Sequence, residues 1–226
     1  MATYIGELIS RGAEAEIYLV NFFGLKSILK KRVHKAYRNQ FFDELFIKSR
    51  TRIEAKILSE LYYNKLNVPA VYFFDDEQGV IIMEYIEGHN LSRTFESLTR
   101  STILDIAHEI GSFAGCMHSL GIYHGDFTLA NVLFANNKVV IIDFGLSGYS
   151  TDIEEYAIDL HLMRRSIHVI NPDLVGVFMD NLLDAYRKTF LGNPEDVFKR
   201  MREISARGRY IDRELRKSIM RERYID

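Results

Sequence analysis

Cysteine is almost absent from this 226-residue chain: Cys116 is the one thiol, so neither an internal disulfide nor a cysteine-built metal site can form. That usage fits a reducing compartment and predicts a cytoplasmic location. Long apolar runs are missing as well. The longest, GVIIM at 79–83 and VVII at 139–142, fall far short of the roughly 20 residues a membrane-spanning helix needs. No basic-then-apolar leader opens the sequence, so neither export nor a membrane partner is expected. The seven histidines are scattered, with no pair four residues apart beside a carboxylate, which argues against a zinc site. Net charge is small too, −2, but it is unevenly placed. Residues 26–56 carry ten Lys/Arg against three Asp/Glu, and residues 199–226 carry ten against five. Two readings of these stretches stand side by side: solvated helix faces, or basic surfaces for a nucleic acid or an acidic partner.

What is present is apolar material enough for a core, 47% of the residues, patterned in two styles. The first ninety residues read as strands with one helix. AEIYLV (15–20) and LKSILK (25–30) flank a turn at NFFG, and VYFF (71–74) and GVIIMEY (79–85) flank DDEQG. Between them Ile53, Ile57, Leu58 and Leu61 recur at helical spacing, predicting a helix that starts near Asp43 and is broken at Val68-Pro69. From about residue 91 the pattern is mostly helical. Ser101 or Thr102 is placed to cap a helix whose apolar positions run to Gly121; Asn136-Asn137 marks a hairpin; Asn171-Pro172 and Asn193-Pro194 mark two further helix starts. The fold class is therefore α+β and bilobal. We divide the chain into an amino-terminal lobe (1–87), a carboxy-terminal lobe (88–206) and a basic tail (207–226).

The chemistry is concentrated in HGDFTLANVLF, from His124, and in Asp143-Phe144-Gly145, twelve residues past Asn131. Asp126 and Asn131 have the spacing of the kinase catalytic loop H-x-D-x-x-x-x-N, and a strand-ending D-F-G supplies a second carboxylate. Phosphoryl transfer needs such groups to hold magnesium on phosphates and a base near the attacking oxygen. The amino-terminal half then supplies a cation. Lys30 shares a strand face with Ile28 and should point inward, whereas Lys31 faces solvent and Lys26 is the weaker alternative. Glu54, on the apolar face of the predicted helix, is its expected partner. Ile9, Ser10, Arg11, Gly12, Ala13, Glu14, Ala15, Glu16 and Ile17 form a strand-turn-strand placed to cover the phosphates, although with one glycine where kinases use G-x-G-x-x-G. In MEYIEG (83–88), Met83 would back an adenine pocket, and Glu84 C=O and the Ile86 main chain would read the base.

Taken together, RGAEAEIY, ILKKR with KAYR, RTRIEAKIL, MEYIEG, HGDFTLANVLF, DFGLS and AIDL make the chain similar, nearly end to end, to the small atypical Bud-type kinases of the KEOPS complex. That is the family of the p53-related protein kinase, with RIO kinases as more distant relatives. The resemblance implies a minimal protein-kinase-like fold with ATP and magnesium as cofactors. Lys30 would contact the α/β-phosphates, Glu54 would position it, Asp126 would be catalytic, Asn131 and Asp143 would hold the metal, and Asp159 would brace the catalytic loop. It also implies work beside an ATPase-fold tRNA-modifying subunit and other KEOPS subunits to make threonylcarbamoyladenosine on tRNA. Serine/threonine kinase and ATPase activities go with that role, and a tail containing Arg207-Gly208-Arg209 reaches the partner.

Gly125 replaces the arginine of H-R-D, so no cationic partner is expected there for a phosphorylated activation loop; no A-P-E follows Asp143 and only thirteen residues separate Gly145 from Asp159, so a seat for a peptide substrate is missing. Phe127 and Leu129-Ala130 also depart from the family's usual leucine and Thr-Ser. Two rival readings are a small-molecule kinase of aminoglycoside or choline type, which shares H-G-D-x-x-x-x-N, and a pseudokinase scaffold.

Overall fold

A computed structural model describes residues 6–12, 14–35 and 39–207. Its amino-terminal part is a five-stranded antiparallel sheet in the order β1-β2-β3-β5-β4: β1 Gly6–Arg11, β2 Ala15–Phe22, β3 Leu25–Arg32, β4 Val71–Asp75 and β5 Val80–Glu84. Phe23 (φ 50°) and Gly24 (φ 86°) close β2 onto β3 as a two-residue turn with both central residues left-handed, the form that matches strand twist. Both strands run two residues beyond the expected 20 and 30. A bulge between Leu8 and Ser10 breaks the β1–β2 register at Ile9.

Helix α1 spans Gln40–Tyr63. It begins ahead of the expected Asp43 because Asn39, with extended backbone, accepts hydrogen bonds from Phe41 N and Phe42 N. Asp43 is instead buried in the first turn, accepting from Lys35 N at 3.0 Å. Ile47, Thr51, Glu54, Leu58 and Leu61 form the buried stripe. Four of the ten cations of residues 26–56, Lys48, Arg50, Arg52 and Lys56, lie on this helix, and they are engaged within the chain. Lys48 meets Glu77, Arg52 meets Asp76 at 2.6 Å, and Lys56 lies 4.8 Å over the Tyr149 ring. The acids of the β4–β5 turn neutralise this surface, which supports the reading of a solvated helix face.

Beyond residue 88 come β6 (His89–Asn90), α2 (Leu91–Thr94), α3 (Arg100–Ser119), β7 (Ile122–Tyr123), β8 (Val132–Ala135), β9 (Lys138–Ile141), β10 (Gly148–Tyr149), α4 (Ile153–Ile170), α5 (Val175–Thr189) and α6 (194–207). The hairpin at Asn136-Asn137 is as expected, with φ of 50° and 59°. Thr99, not Ser101 or Thr102, caps α3, accepting from Thr102 N at 3.2 Å, because a cap must precede the first turn in extended backbone. Asn171 makes no side-chain cap; Pro172 opens a single 3-10 turn that leads into α5. Asn193 does cap α6, through Glu195 N. The division drawn at 206/207 falls in the last described turn of α6, and the tail expectations for 208–226, like those for Ala13 and residues 36–38, lie outside the described residues. One continuous core joins α1 and β5 to all the later helices and ends in the floor of a cleft.

Candidate active site

The floor is built from the loop between β7 and β8. Asp159, wholly buried on α4, accepts from two successive main-chain donors, His124 N at 2.6 Å and Gly125 N at 2.9 Å, which fixes the turn on which Asp126 stands. Asp126 N donates to His124 Nδ1 at 3.2 Å, and His124 Nε2 lies 3.2 Å from Ile142 O. The imidazole is therefore the neutral Nε2–H tautomer, since a proton on Nδ1 would face another N–H. Asn131 Nδ2 donates to Asp126 O at 2.9 Å and to Asp126 Oδ2 at 2.8 Å, which leaves the amide oxygen as a donor atom for a ligand. Ile142 N donates to Asn131 O at 3.0 Å, tying the strand that delivers Asp143 to this loop.

Burial holds the His124 pKa below the ordinary histidine range, against the pull of Asp159. As pH falls the unfolded chain takes that proton first, so stability should decline from about pH 6.5 downward, by at most about 1.4 kcal/mol per pH unit for one proton. His161, lowered by burial and by Arg165 and Arg164, adds to the same trend. Urea midpoints at pH 7.5 and 5.5 test this: wild type should weaken more than His124→Asn, and equal slopes would remove His124 from the account.

Gly125 has φ +79°, and a Cβ there would lie 2.4 Å from Leu146 O. An arginine at this place, as in H-R-D, cannot fit this loop. Gly125→Ala should cost about 2 kcal/mol or more, from left-handed strain and the clash, lowering the melting temperature by several degrees. An unchanged melting temperature would show that the loop yields freely.

Asp143 also lies in the left-handed region, φ 61°, a strained state for a non-glycine residue that is found at sites where side-chain direction matters. Its Oδ1 accepts from Lys30 Nζ at 2.7 Å and Gly145 N at 3.2 Å. Lys30 points inward from β3, 7% exposed, and donates also to Glu54 Oε1 at 2.6 Å, while Lys31 is exposed. Burial opposes the Lys30 charge, but Glu54 and Asp143 outweigh it and raise the pKa above the usual lysine value. Burial likewise opposes the Asp143 carboxylate, and Lys30 lowers its pKa nonetheless. Lys26 is exposed, its ammonium 4.0 Å over the Tyr85 ring.

The cleft has two compartments. A polar one of about 300 Å³ is lined by Ser10, Gly12, Glu14, Ala15, Ile17, Lys30, Arg32, Asp126, Asp143, Gly145 and Leu146. A largely apolar one of about 320 Å³ beside it is lined by Ile9, Ile17, Ile28, Met83, Leu133 and Ile142, with Glu84, Ile86, Glu54 and Asn131 at its margins. The β3–β5 ladder ends at Ser27 and Glu84, so the Ile86 main chain makes no backbone hydrogen bond among the described residues. Two residues of the covering strands do not line the cleft. Arg11 and Glu16 pair with each other at 2.8 Å, and Glu16 accepts from Tyr18 Oη, because alternate residues of a strand face opposite sides.

The residue that sequence reasoning missed is Arg32. It is 5% exposed, donates through Nη2 to Glu54 Oε2 at 2.6 Å and approaches Glu14 at 3.8 Å. Its spacing of two from Lys30, on the same strand face, was the available signal. Its Nε is buried without a partner among the described residues, an arrangement that costs about 1–3 kcal/mol.

The RIO domain family matches residues 20–172. Among curated relatives, the KEOPS complex subunit Bud32 of Pyrococcus abyssi is 36% identical over 215 residues, covering 92% of this chain and 97% of that one. The EKC/KEOPS complex subunit bud32 of Dictyostelium discoideum is 34% identical, covering 91% and 83%. A probable bifunctional tRNA threonylcarbamoyladenosine biosynthesis protein of Methanobrevibacter smithii is 35% identical over 90% of this chain, which spans only 36% of that longer protein. A solved structure, WaaP in complex with acyl carrier protein, aligns with TM-score 0.63 and 14% identity over 95% of this chain and 89% of that one, a likeness of kinase-like fold alone. The chain belongs to the RIO-domain family of atypical kinases, and within it to the Bud32-type members.

Proposed function

We propose that the chain is a magnesium-dependent ATP phosphotransferase and ATPase, a non-specific serine/threonine kinase by class. It serves in the cytoplasm as the kinase subunit of a KEOPS-type complex that makes threonylcarbamoyladenosine on tRNA. The observation that carries the catalytic reading is the placement of Lys30. Its ammonium bridges Glu54 and Asp143 at the junction of the apolar and polar compartments, within a cleft that Asp126 also lines. Full-length similarity to a relative named as a KEOPS subunit supports the assembly.

Adenine fits between Ile17 and Ile28 on one side and Leu133 and Ile142 on the other, with the Ile86 main chain available to its polar edge. The phosphates then lie along Lys30 under the strands β1 and β2, and Asp126 is placed to orient the attacking hydroxyl or water and take its proton. Asn131 and Asp143 offer hard oxygen donors suited to magnesium, which, when bound, neutralises charge on the phosphate oxygens.

The segment after Asp143 is fastened to α1 through Arg50 and Glu60. Arg50 Nη1 donates to Ser147 O at 3.3 Å, and Tyr149 Oη donates to Glu60 Oε2 at 2.7 Å. Phosphatase treatment should therefore leave turnover unchanged; loss of turnover restored by rephosphorylation between Leu146 and Asp159 would show a phosphate-gated segment instead. The function as a whole is tested by purifying the chain, measuring magnesium-ATP turnover alone and with its ATPase-fold tRNA-modifying partner, and assaying threonylcarbamoyladenosine on tRNA. Turnover and partner-dependent modification are expected. Transfer to aminoglycoside or choline, or modification undiminished without this chain, would refute the assignment.

A further inference from the structure

We propose that Arg32 is a positioning residue of the phosphate site: it occupies one oxygen of Glu54 and offsets part of the carboxylate charge around Lys30, so that the polar compartment is less repellent to the nucleotide phosphates. The inference rests on the nucleotide reading of the cleft given above. Strand alternation sets Lys30 and Arg32 side by side on the inner face of β3, and each takes a different oxygen of Glu54 at 2.6 Å. Lys30 also pairs with Asp143, so Lys30, Glu54 and Asp143 alone would carry a net charge of −1; Arg32 brings that cluster to zero beside the polar compartment that Lys30 and Arg32 both line.

A purely structural role explains the guanidinium poorly. Buried ion pairs are often no more stabilising than apolar side chains of the same volume, and here one donor, Nε, is buried without any partner among the described residues. A Cβ at Gly145 would lie 3.1 Å from Asp143 Oδ1 and 3.2 Å from Lys30 Nζ, with Arg32 Nη2 in ordinary contact at 3.5 Å, so the glycine leaves room beside Lys30. Arg32 also reaches Glu14 in the covering strands, at 3.8 Å, linking those strands to the same carboxylate that holds Lys30. In the field around Lys30, Arg32 opposes the two carboxylates.

Calorimetric binding of magnesium-ATP, with melting temperatures of the ligand-free proteins, tests this in Arg32→Met, Arg32→Lys, Glu54→Gln and the double variant Arg32→Met/Glu54→Gln. Arg32→Met should weaken nucleotide binding roughly tenfold in protein that remains folded at the assay temperature, its ligand-free melting temperature falling because Glu54 loses a buried partner, and Arg32→Lys should recover part of the affinity. The double variant should bind no worse than Glu54→Gln, because Arg32 acts through Glu54. Wild-type affinity in folded Arg32→Met, or losses that simply add to those of Glu54→Gln, would overturn the proposal. If Arg32→Met does not fold, folded Arg32→Lys decides: weakened binding upholds the role and wild-type affinity refutes it. Lys30→Ala separates the two levels. Undiminished turnover there would defeat the nucleotide reading itself, whereas a loss there with normal Arg32 variants would defeat this inference alone.

Discussion

Asp143→Ala is expected to reduce magnesium-ATP turnover about a thousandfold while leaving a folded protein. Asp143 is the carboxylate that the D-F-G turn delivers to the cleft, and its left-handed backbone aims it at Lys30. From the sequence, removing one member of a cluster of negative charge could be expected to stabilise the nucleotide-free protein. The structure argues the opposite sign. Lys30 stands between Glu54 and Asp143, so the carboxylate is compensated, and its pKa is lowered. Asp143 therefore stabilises the fold above the ordinary carboxylate pKa of about 3.9, and that contribution is lost as pH falls through its lower folded value. With the side chain 53% exposed, screening keeps this term below about 1 kcal/mol. Asp143→Asn is the better-controlled variant, since asparagine tolerates the left-handed backbone. Near-normal turnover in either folded variant would end the assignment.

The second large effect is expected at Lys30. Lys30→Ala should cost at least about a hundredfold in turnover, because it removes the buried ammonium that lines the polar compartment and leaves Asp143 without its cation. Glu54 keeps Arg32, so α1 should stay in place and the loss should be chemical rather than structural. Lys26→Ala, which removes only an exposed ammonium over the Tyr85 ring, should leave turnover within about twofold of wild type. The opposite ranking would mean that the site works in a different arrangement from the one described.

Much of this site was legible because local rules determine it. Two-residue alternation turned Lys30 inward, helical periodicity turned Glu54 inward, and the spacing of Asp126, Asn131 and Asp143 needed no tertiary information. The same alternation, carried two residues past Lys30, would have exposed Arg32; the strand was read as ending at residue 30, and β3 runs to Arg32. Arg11 and Glu16 were assigned to the cleft by adjacency in sequence, where strand geometry sends neighbours to opposite faces. What local rules could not supply was long-range. Lys48 and Arg52 on α1 met their acids in the β4–β5 turn, and the segment after Asp143 found Arg50 and Glu60 on the same helix. Helix starts erred by a few residues at Asn39 and Thr99, where several capping residues compete within one turn and backbone geometry selects among them.

The most direct test of the central claim is release or transfer of the terminal phosphate from γ-labelled ATP by the purified protein, followed with magnesium, with a chelator, and in Asp143→Asn. The arrangement of Lys30, Asp126, Asn131 and Asp143 predicts label release in the first case and only background in the other two. Equal release in all three, or none in a wild-type protein that binds magnesium-ATP, would contradict it.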